Sequence, residues 1–171
     1  MLVCSNYLVA SAAPTSRTLS ITWYEQKKSN WCLAATAQML GKYYNGSKTQ
    51  AQISEYVMGN STNNSAATNT QVSKAIKYAT GKNYILATPL TYNEIRSFIG
   101  DKSIPLGIRM VWSGVNGHIL VMSGYNNTGS KVTLVDPASG CGKSSYDYYK
   151  LINGTKIQSG TGYYGNTWVI Q

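Results

Sequence analysis

Gln26-Lys27-Lys28-Ser29-Asn30-Trp31-Cys32-Leu33-Ala34-Ala35-Thr36-Ala37-Gln38-Met39 sets a cysteine where a polar turn gives way to an apolar helix. Ser29 can cap the free N–H groups of a helix that runs on through Leu40. Leu33, Ala37 and Leu40 fall at i, i+4 and i+7, so one face of that helix is predicted to pack deeply. A thiol in the first turn feels the positive end of the helix, which favours the thiolate, the nucleophilic form. A lone cysteine on an apolar helix also reads as a small buried hydrophobe. Gln26, six positions ahead of Cys32 across a short turn, brings an amide able to donate to an oxyanion forming beside the sulfur. By itself that spacing has little specificity.

Outward from this stretch the periodicity predicts three more helices. One covers about Thr49 to Met58, with Ile53 and Val57 four apart. Another, Gln71 to Thr80, puts Val72, Ala75, Ile76 and Ala79 on one side and stops at Gly81. A fourth, Tyr92 to Ile99, follows Thr91 as a cap and ends at Gly100. The polar segment Gly59 to Thr70 reads as a flexible surface loop. Beyond Gly100 the period changes. Pro105 to Val111, Gly117 to Tyr125, Lys131 to Val135 and Thr167 to Ile170 read as strands separated by Gly and Asn turns. Helices first and antiparallel strands afterwards predict an α+β fold, a helical half packed on a sheet half with a cleft between them.

The single histidine opens the second of these strands, in Asn116-Gly117-His118-Ile119-Leu120-Val121-Met122. Asp136 follows at the end of the next strand, in Leu134-Val135-Asp136-Pro137. Two adjacent antiparallel strands joined by the 126–130 turn would bring His118 and Asp136 to one edge of the sheet. Taken singly, His118 reads equally as a satisfied core histidine and Asp136 as a turn residue before proline.

Gln26 ahead of Cys32, Trp31 just before it, Ala34-Ala35-x-Ala37-x-Met39 after it, and a later Gly117-His118 and Asp136 together resemble the papain-like cysteine proteases. The resemblance runs from Trp23 to Trp168 and is strongest to bacterial branches: avirulence-effector proteases, staphopains and double-glycine leader peptidases. It implies a papain-like domain with Cys32 as nucleophile, His118 as base, Asp136 as the residue orienting the histidine, and Gln26 in the oxyanion hole. It also implies a protein or peptide substrate, a thioester intermediate, and no metal or organic cofactor. Trp31, Trp112 and Gly117 are candidates to line the cleft, and the tryptophans read equally as core residues. The plant-type pattern, with a second cysteine three residues before the nucleophile, is absent; Ser29 stands there. Related chemistry on the same fold remains open, as amidase, deamidase or transpeptidase, as does an inactive binding module in which Cys32 is structural.

Composition narrows the field. Fifteen Lys+Arg against six Asp+Glu give a net charge of +9, which attracts anionic polymers and surfaces. The basic residues are scattered, however, with Lys27-Lys28 as the only doublet, so no nucleic-acid partner is expected. Three cysteines, at 4, 32 and 141, form no CxxC pair, and a single histidine argues against a conventional zinc site. No apolar run approaches the roughly 20 residues of a membrane span. Residues 1–17 read as an N-terminal arm or the remnant of a signal or leader, with Ala10-x-Ala12 resembling a cleavage site. Residues 18–171 then form one domain, expected to be monomeric and secreted, with delivery to a host cell a further expectation. Near the C-terminus, Pro137 to Ser144 imitates a phosphate loop. Proline stands where that loop needs its first glycine, so nucleotide binding is not expected. Cys141 in this segment reads as an unpaired thiol.

Overall fold

A computed structural model describes residues 14–112 and 117–171. Helix α1 (Cys32–Tyr43) begins at the cysteine itself, with Trp31 as its capping residue and no side-chain cap. The expected cap, Ser29, lies two residues further out, behind a turn closed by the Trp31 N–H on the Lys28 carbonyl at 3.0 Å. Its hydroxyl instead accepts from Asn64 Nδ2 at 2.9 Å. The first N–H groups of α1 are thus left free of a side-chain cap, close to the sulfur.

Helices α2 (Gln50–Met58) and α3 (Asn69–Thr80) each open on a reciprocal cap, Thr49 with Gln52 and Thr68 with Gln71. These pairs satisfy N–H groups that the helix cannot. Both helices end on a left-handed glycine, Gly59 at φ 72° and Gly81 at φ 68°, a conformation that a side chain would strain. Helix α4 (Tyr92–Arg96) is capped by Thr91 as expected, and Glu94 closes a reciprocal cap with it. It does not reach Ile99 as a regular helix. The chain widens into a π-turn over Ser97–Asp101, and Gly100 packs so closely on Tyr125 that a Cβ would lie 2.6 Å from its hydroxyl. A short helix α5 (Tyr148–Asn153) completes the set.

The strands are β1 (Ser16–Thr18), β2 (Tyr84–Ala87), β3 (Leu106–Trp112), β4 (Gly117–Asn126), β5 (Lys131–Asp136), β6 (Gly142–Asp147), β7 (Thr155–Ile157) and β8 (Gly160–Ile170). Among the described residues they form one eight-stranded antiparallel sheet in the order β2-β8-β3-β4-β5-β6, with β1 added to β4 and β7 to β8. Strand β1 straddles the boundary between the stretch expected to be an arm or leader and the domain; residues 1–13 of that stretch lie outside those described. A strand rather than a helix follows Gly142, so the phosphate-loop imitation lacks the helix such a loop requires.

The sheet is covered on both faces, which explains the unbroken apolar run after His118. On one side Leu33, Leu40 and Ile76 of α1 and α3 meet Ile119, Val121 and Trp168. On the other, Ile108, Leu120, Met122 and Leu134 pack with Leu151 and Tyr164. Each of the large aliphatic side chains contributes about 1.5–3 kcal/mol by leaving water. One buried polar contact fixes how α1 lies on the sheet: Thr36, one turn after Cys32, donates its hydroxyl to the Ile119 carbonyl at 2.8 Å.

Candidate active site

Three elements deliver the polar groups. The first residue of α1 is Cys32, β4 carries His118 at its start, and the last residue of β5 is Asp136. Antiparallel pairing of β4 with β5 sets Val121 opposite Val135, so the start of one strand and the end of the other share an edge. There His118 Nε2 and Asp136 Oδ1 are 2.7 Å apart, and both side chains are buried. Asp136 Oδ1 also accepts from the Ala138 N–H at 2.9 Å, and the Asp136 carbonyl accepts from Trp23 Nε1 at 2.7 Å. Trp112 stacks on the imidazole, with centroids 5.9 Å apart and planes 12° from parallel. With Nε2 occupied, Nδ1 is the ring nitrogen left for Cys32, whose sulfur lies within hydrogen-bond reach of the ring.

The electrostatics follow from burial working against partners. Burial alone would push the Cys32 thiol up. The hydrogen bond and charge of His118, with the N–H groups of Ile119 and Leu33, outweigh it and hold the thiol below its ordinary value of 9.0. Burial likewise disfavours the imidazolium of His118, yet hydrogen bonds to Asp136 and Cys32 and the charges of both raise it to about 9. For Asp136, burial is again outweighed, here by the hydrogen bond and charge of His118 and then by Ser159 and the Ala138 N–H, and the carboxyl is held below its usual range. The two shifts run in opposite directions, sulfur down and imidazole up, and both favour the thiolate–imidazolium form of the pair.

These groups open onto a cleft of about 390 Å³, lined among others by Gln26, Cys32, Trp112, Gly117, His118 and Ser159. Gln26 reaches the cleft wall, but its Nε2 donates to the carbonyls of Lys28 at 3.0 Å and Ser29 at 2.7 Å. Its Oε1 is buried without a partner. The structure thus gathers Cys32, His118, Asp136, Gln26 and Gly117 in one place. Trp31 is not brought to the cleft: its ring is 4% exposed in the helical core and donates Nε1 to the Asn63 carbonyl at 2.6 Å. Cys141 lies apart in the β5–β6 turn, unpaired, its thiol pushed up by burial and by the charges of Asp136 and Glu25.

The 59–68 segment is strapped to the turn that leads into Cys32. Lys28 Nζ donates to the Thr62 carbonyl at 2.6 Å, and Asn30 donates its backbone N–H to Asn64 Oδ1 at 3.0 Å and its Nδ2 to the Asn64 carbonyl at 2.6 Å. Ala66 and Ala67, just beyond, form part of the cleft lining. Thr36 and Asn64 carry no catalytic signature in the sequence. The one hint for Thr36 is its place four residues after the cysteine, hence on the same face of an otherwise apolar helix. Among the described residues no group of three or more His, Cys, Asp or Glu side chains is placed to hold a metal ion, and no helix is long and apolar enough to cross a membrane.

Comparison with known proteins gives the family and the fold. Residues 18–164 match the model of the Peptidase_C39 like family. No curated protein matches the chain. A double glycine motif protease from an AMS/PCAT transporter, solved in complex with the leader peptide, superposes with a TM-score of 0.63 at 16% identity, covering 90% of this chain and 92% of that one. The peptidase domain of Streptococcus ComA, a bi-functional ABC transporter involved in quorum sensing, gives 0.61 at 15% identity, over 89% and 100%. A C39-like peptidase from Bacillus anthracis gives 0.64 at 9% identity, over 91% and 98%. At such identities the likeness is one of fold, and that fold is papain-like: helices on one side, an antiparallel sheet on the other.

Proposed function

The chain belongs to the Peptidase_C39 like family of cysteine peptidases, and from that premise we propose that it hydrolyses peptide bonds through Cys32, His118 and Asp136. The observation that carries the proposal is the buried relay in which Asp136 holds Nε2 of His118 and leaves Nδ1 for the sulfur.

In this mechanism His118 Nδ1 holds the proton of Cys32, and the thiolate attacks the carbonyl carbon of the scissile bond. The carbonyl π-bond opens to an oxyanion, received by the Cys32 N–H and the Gln26 amide. To take part, one Gln26 N–H must exchange its bond to the Lys28 or Ser29 carbonyl for one to the oxyanion. Collapse of the intermediate breaks the C–N bond, and the imidazolium gives its proton to the departing amine. A water, losing its proton to His118, then attacks the thioester, the C–S bond breaks, and the acid leaves with the thiolate–imidazolium pair restored. Asp136 keeps the imidazole in one tautomer and stabilises its cation throughout.

A peptide occupies the cleft in this account. Two observations support it: the open cleft beside the sulfur, and the leader peptide bound to the AMS/PCAT protease of the same fold. The test is digestion of casein and a peptide library by the wild type and by Cys32→Ala. Cleavage by the wild type alone, with an acyl group trapped on Cys32 by mass spectrometry, is expected. Identical products from both proteins would contradict the proposal.

A further inference from the structure

Asp136 engages only one of its two carboxylate oxygens in hydrogen bonds of ordinary geometry. Oδ1 takes both the His118 ring and the Ala138 N–H. Oδ2 is buried without a protein partner, and so is the hydroxyl oxygen of Ser159. Leaving a buried anionic oxygen and a buried hydroxyl both unpaired is costly, and a small shift of either side chain that closes the Ser159 Oγ–Asp136 Oδ2 contact satisfies the two at once. Ser159 stands in the turn between β7 and β8 and lines the cleft beside His118 and Ala138. After burial and the His118 contributions, the Ser159 hydroxyl is one of the groups that hold the Asp136 carboxyl down.

The neighbouring residue reinforces the point. Gly160 packs against the Trp112 ring, where a Cβ would stand 3.1 Å away, and Trp112 in turn stacks on the imidazole. One turn therefore braces the imidazole through Trp112 and reaches the carboxylate through Ser159. The titratable groups facing Asp136 are His118 from β4, with Cys32 behind it, and Cys141 from the β5–β6 turn. Ser159 does not titrate, so its removal alters Asp136 without changing the charge around it.

We infer that Ser159 is a positioning residue whose hydroxyl donates to Asp136 Oδ2 and fixes the carboxylate so that Oδ1 stays on His118 Nε2. This role rests on the Cys32–His118–Asp136 assignment proposed above and adds a fourth group to it.

Asp101, Asp136 and Asp147 are the only aspartates, so the Asp136 carboxyl carbon is readily followed by 13C NMR in aspartate-labelled protein and assigned with Asp136→Asn. Ser159→Ala should raise the titration midpoint of Asp136 by about half to one pH unit. It should also slow iodoacetamide alkylation of Cys32 at pH 6 several-fold. Ser159→Thr keeps the hydroxyl and should restore both, while Asp101 and Asp147 report that each variant stays folded. An unchanged midpoint in Ser159→Ala overturns the inference, and so does an equal shift in Ser159→Ala and Ser159→Thr, which would assign the effect to packing. A wild-type Cys32 that alkylates no faster than Cys141 overturns the assignment beneath it, and the positioning role with it, whatever the midpoint does.

Discussion

His118 Nε2 and Asp136 Oδ1 meet at 2.7 Å in the interior, at the shared edge of two neighbouring strands. This contact decides which ring nitrogen faces the sulfur. It also supplies the negative charge that lets a buried imidazole stay protonated.

Replacing Asp136 tests that dependence. Asp136→Asn keeps an oxygen that can accept from Nε2–H but removes the charge, whereas Asp136→Ala removes both. We expect kcat/KM to fall by about 10²-fold in Asp136→Asn and nearer 10⁴-fold in Asp136→Ala. His118→Ala should lose at least as much as the latter. Steady-state kinetics on any cleaved peptide gives the order, and turnover intact in His118→Ala would remove histidine from the mechanism.

The pH dependence has a definite sign. The active form is thiolate with imidazolium, so the rate should decline above about 9 as His118 loses its proton. On the acid side the limb should lie below the 9.0 of an ordinary thiol, because the Cys32 value is lowered. Stability follows the same groups. The raised His118 value contributes stability that is fully present below 6.5 and is lost as pH rises through about 9. The depressed Asp136 value contributes stability present above 3.8 and lost as pH falls through its lowered folded value. Thermal melts from pH 3 to 10 should therefore show Tm highest on a plateau between these limits, and the alkaline decline should shrink in His118→Ala.

Thr36 fixes the helix that carries the sulfur to the strand that carries the imidazole. Thr36→Val conserves shape and deletes only the hydroxyl that donates to Ile119, costing about 1–2 kcal/mol of stability. Because small displacements of reacting groups are expensive, kcat/KM should fall roughly 10- to 100-fold with KM little changed. Denaturant titration and kinetics on the same variant check both halves of this expectation. A stability loss with unaltered turnover would show that the contact holds the fold without setting the site.

Gly41 of α1 packs directly against Ala79 of α3. A Cβ at this position would lie 2.7 Å from the Ala79 carbonyl oxygen, a backbone atom with little freedom to retreat. Alanine gains about 1 kcal/mol in helix propensity, but overpacking of this kind costs typically about 1–3 kcal/mol. Gly41→Ala should therefore be destabilising by about 1 kcal/mol in urea titration, the reverse of the usual result for an exposed helical glycine.

The legible part of this fold is the part written in contiguous stretches. A cysteine opening an Ala-rich helix, a Gly-His before an apolar strand and an Asp before Pro each carry their context within a few residues, and β4 with β5 then joins two of them. The fold class follows from the change of period after Gly100. What escaped depends on distant partners. Strand β6 reads Gly-Lys-Ser-Ser-Tyr-Asp and is a strand only because β5 pairs with it from Lys131 to Asp136. Thr36 acts on a carbonyl 83 residues away, and the Ser159 hydroxyl on a carboxylate at the end of β5. The 59–68 segment looks loose by composition, yet its asparagines and carbonyls are what hold the turn before Cys32. Ser29 failed as a cap because the helix starts later than its polar neighbourhood suggests.

The most direct measurement is the alkylation rate of each cysteine by iodoacetamide as a function of pH, read by mass spectrometry on the intact wild-type chain. Cys32 should react at pH 6 far faster than Cys141, whose thiol is pushed up rather than down. His118→Ala should abolish the difference. Equal, slow labelling of both cysteines below pH 8 would contradict an activated thiolate at Cys32.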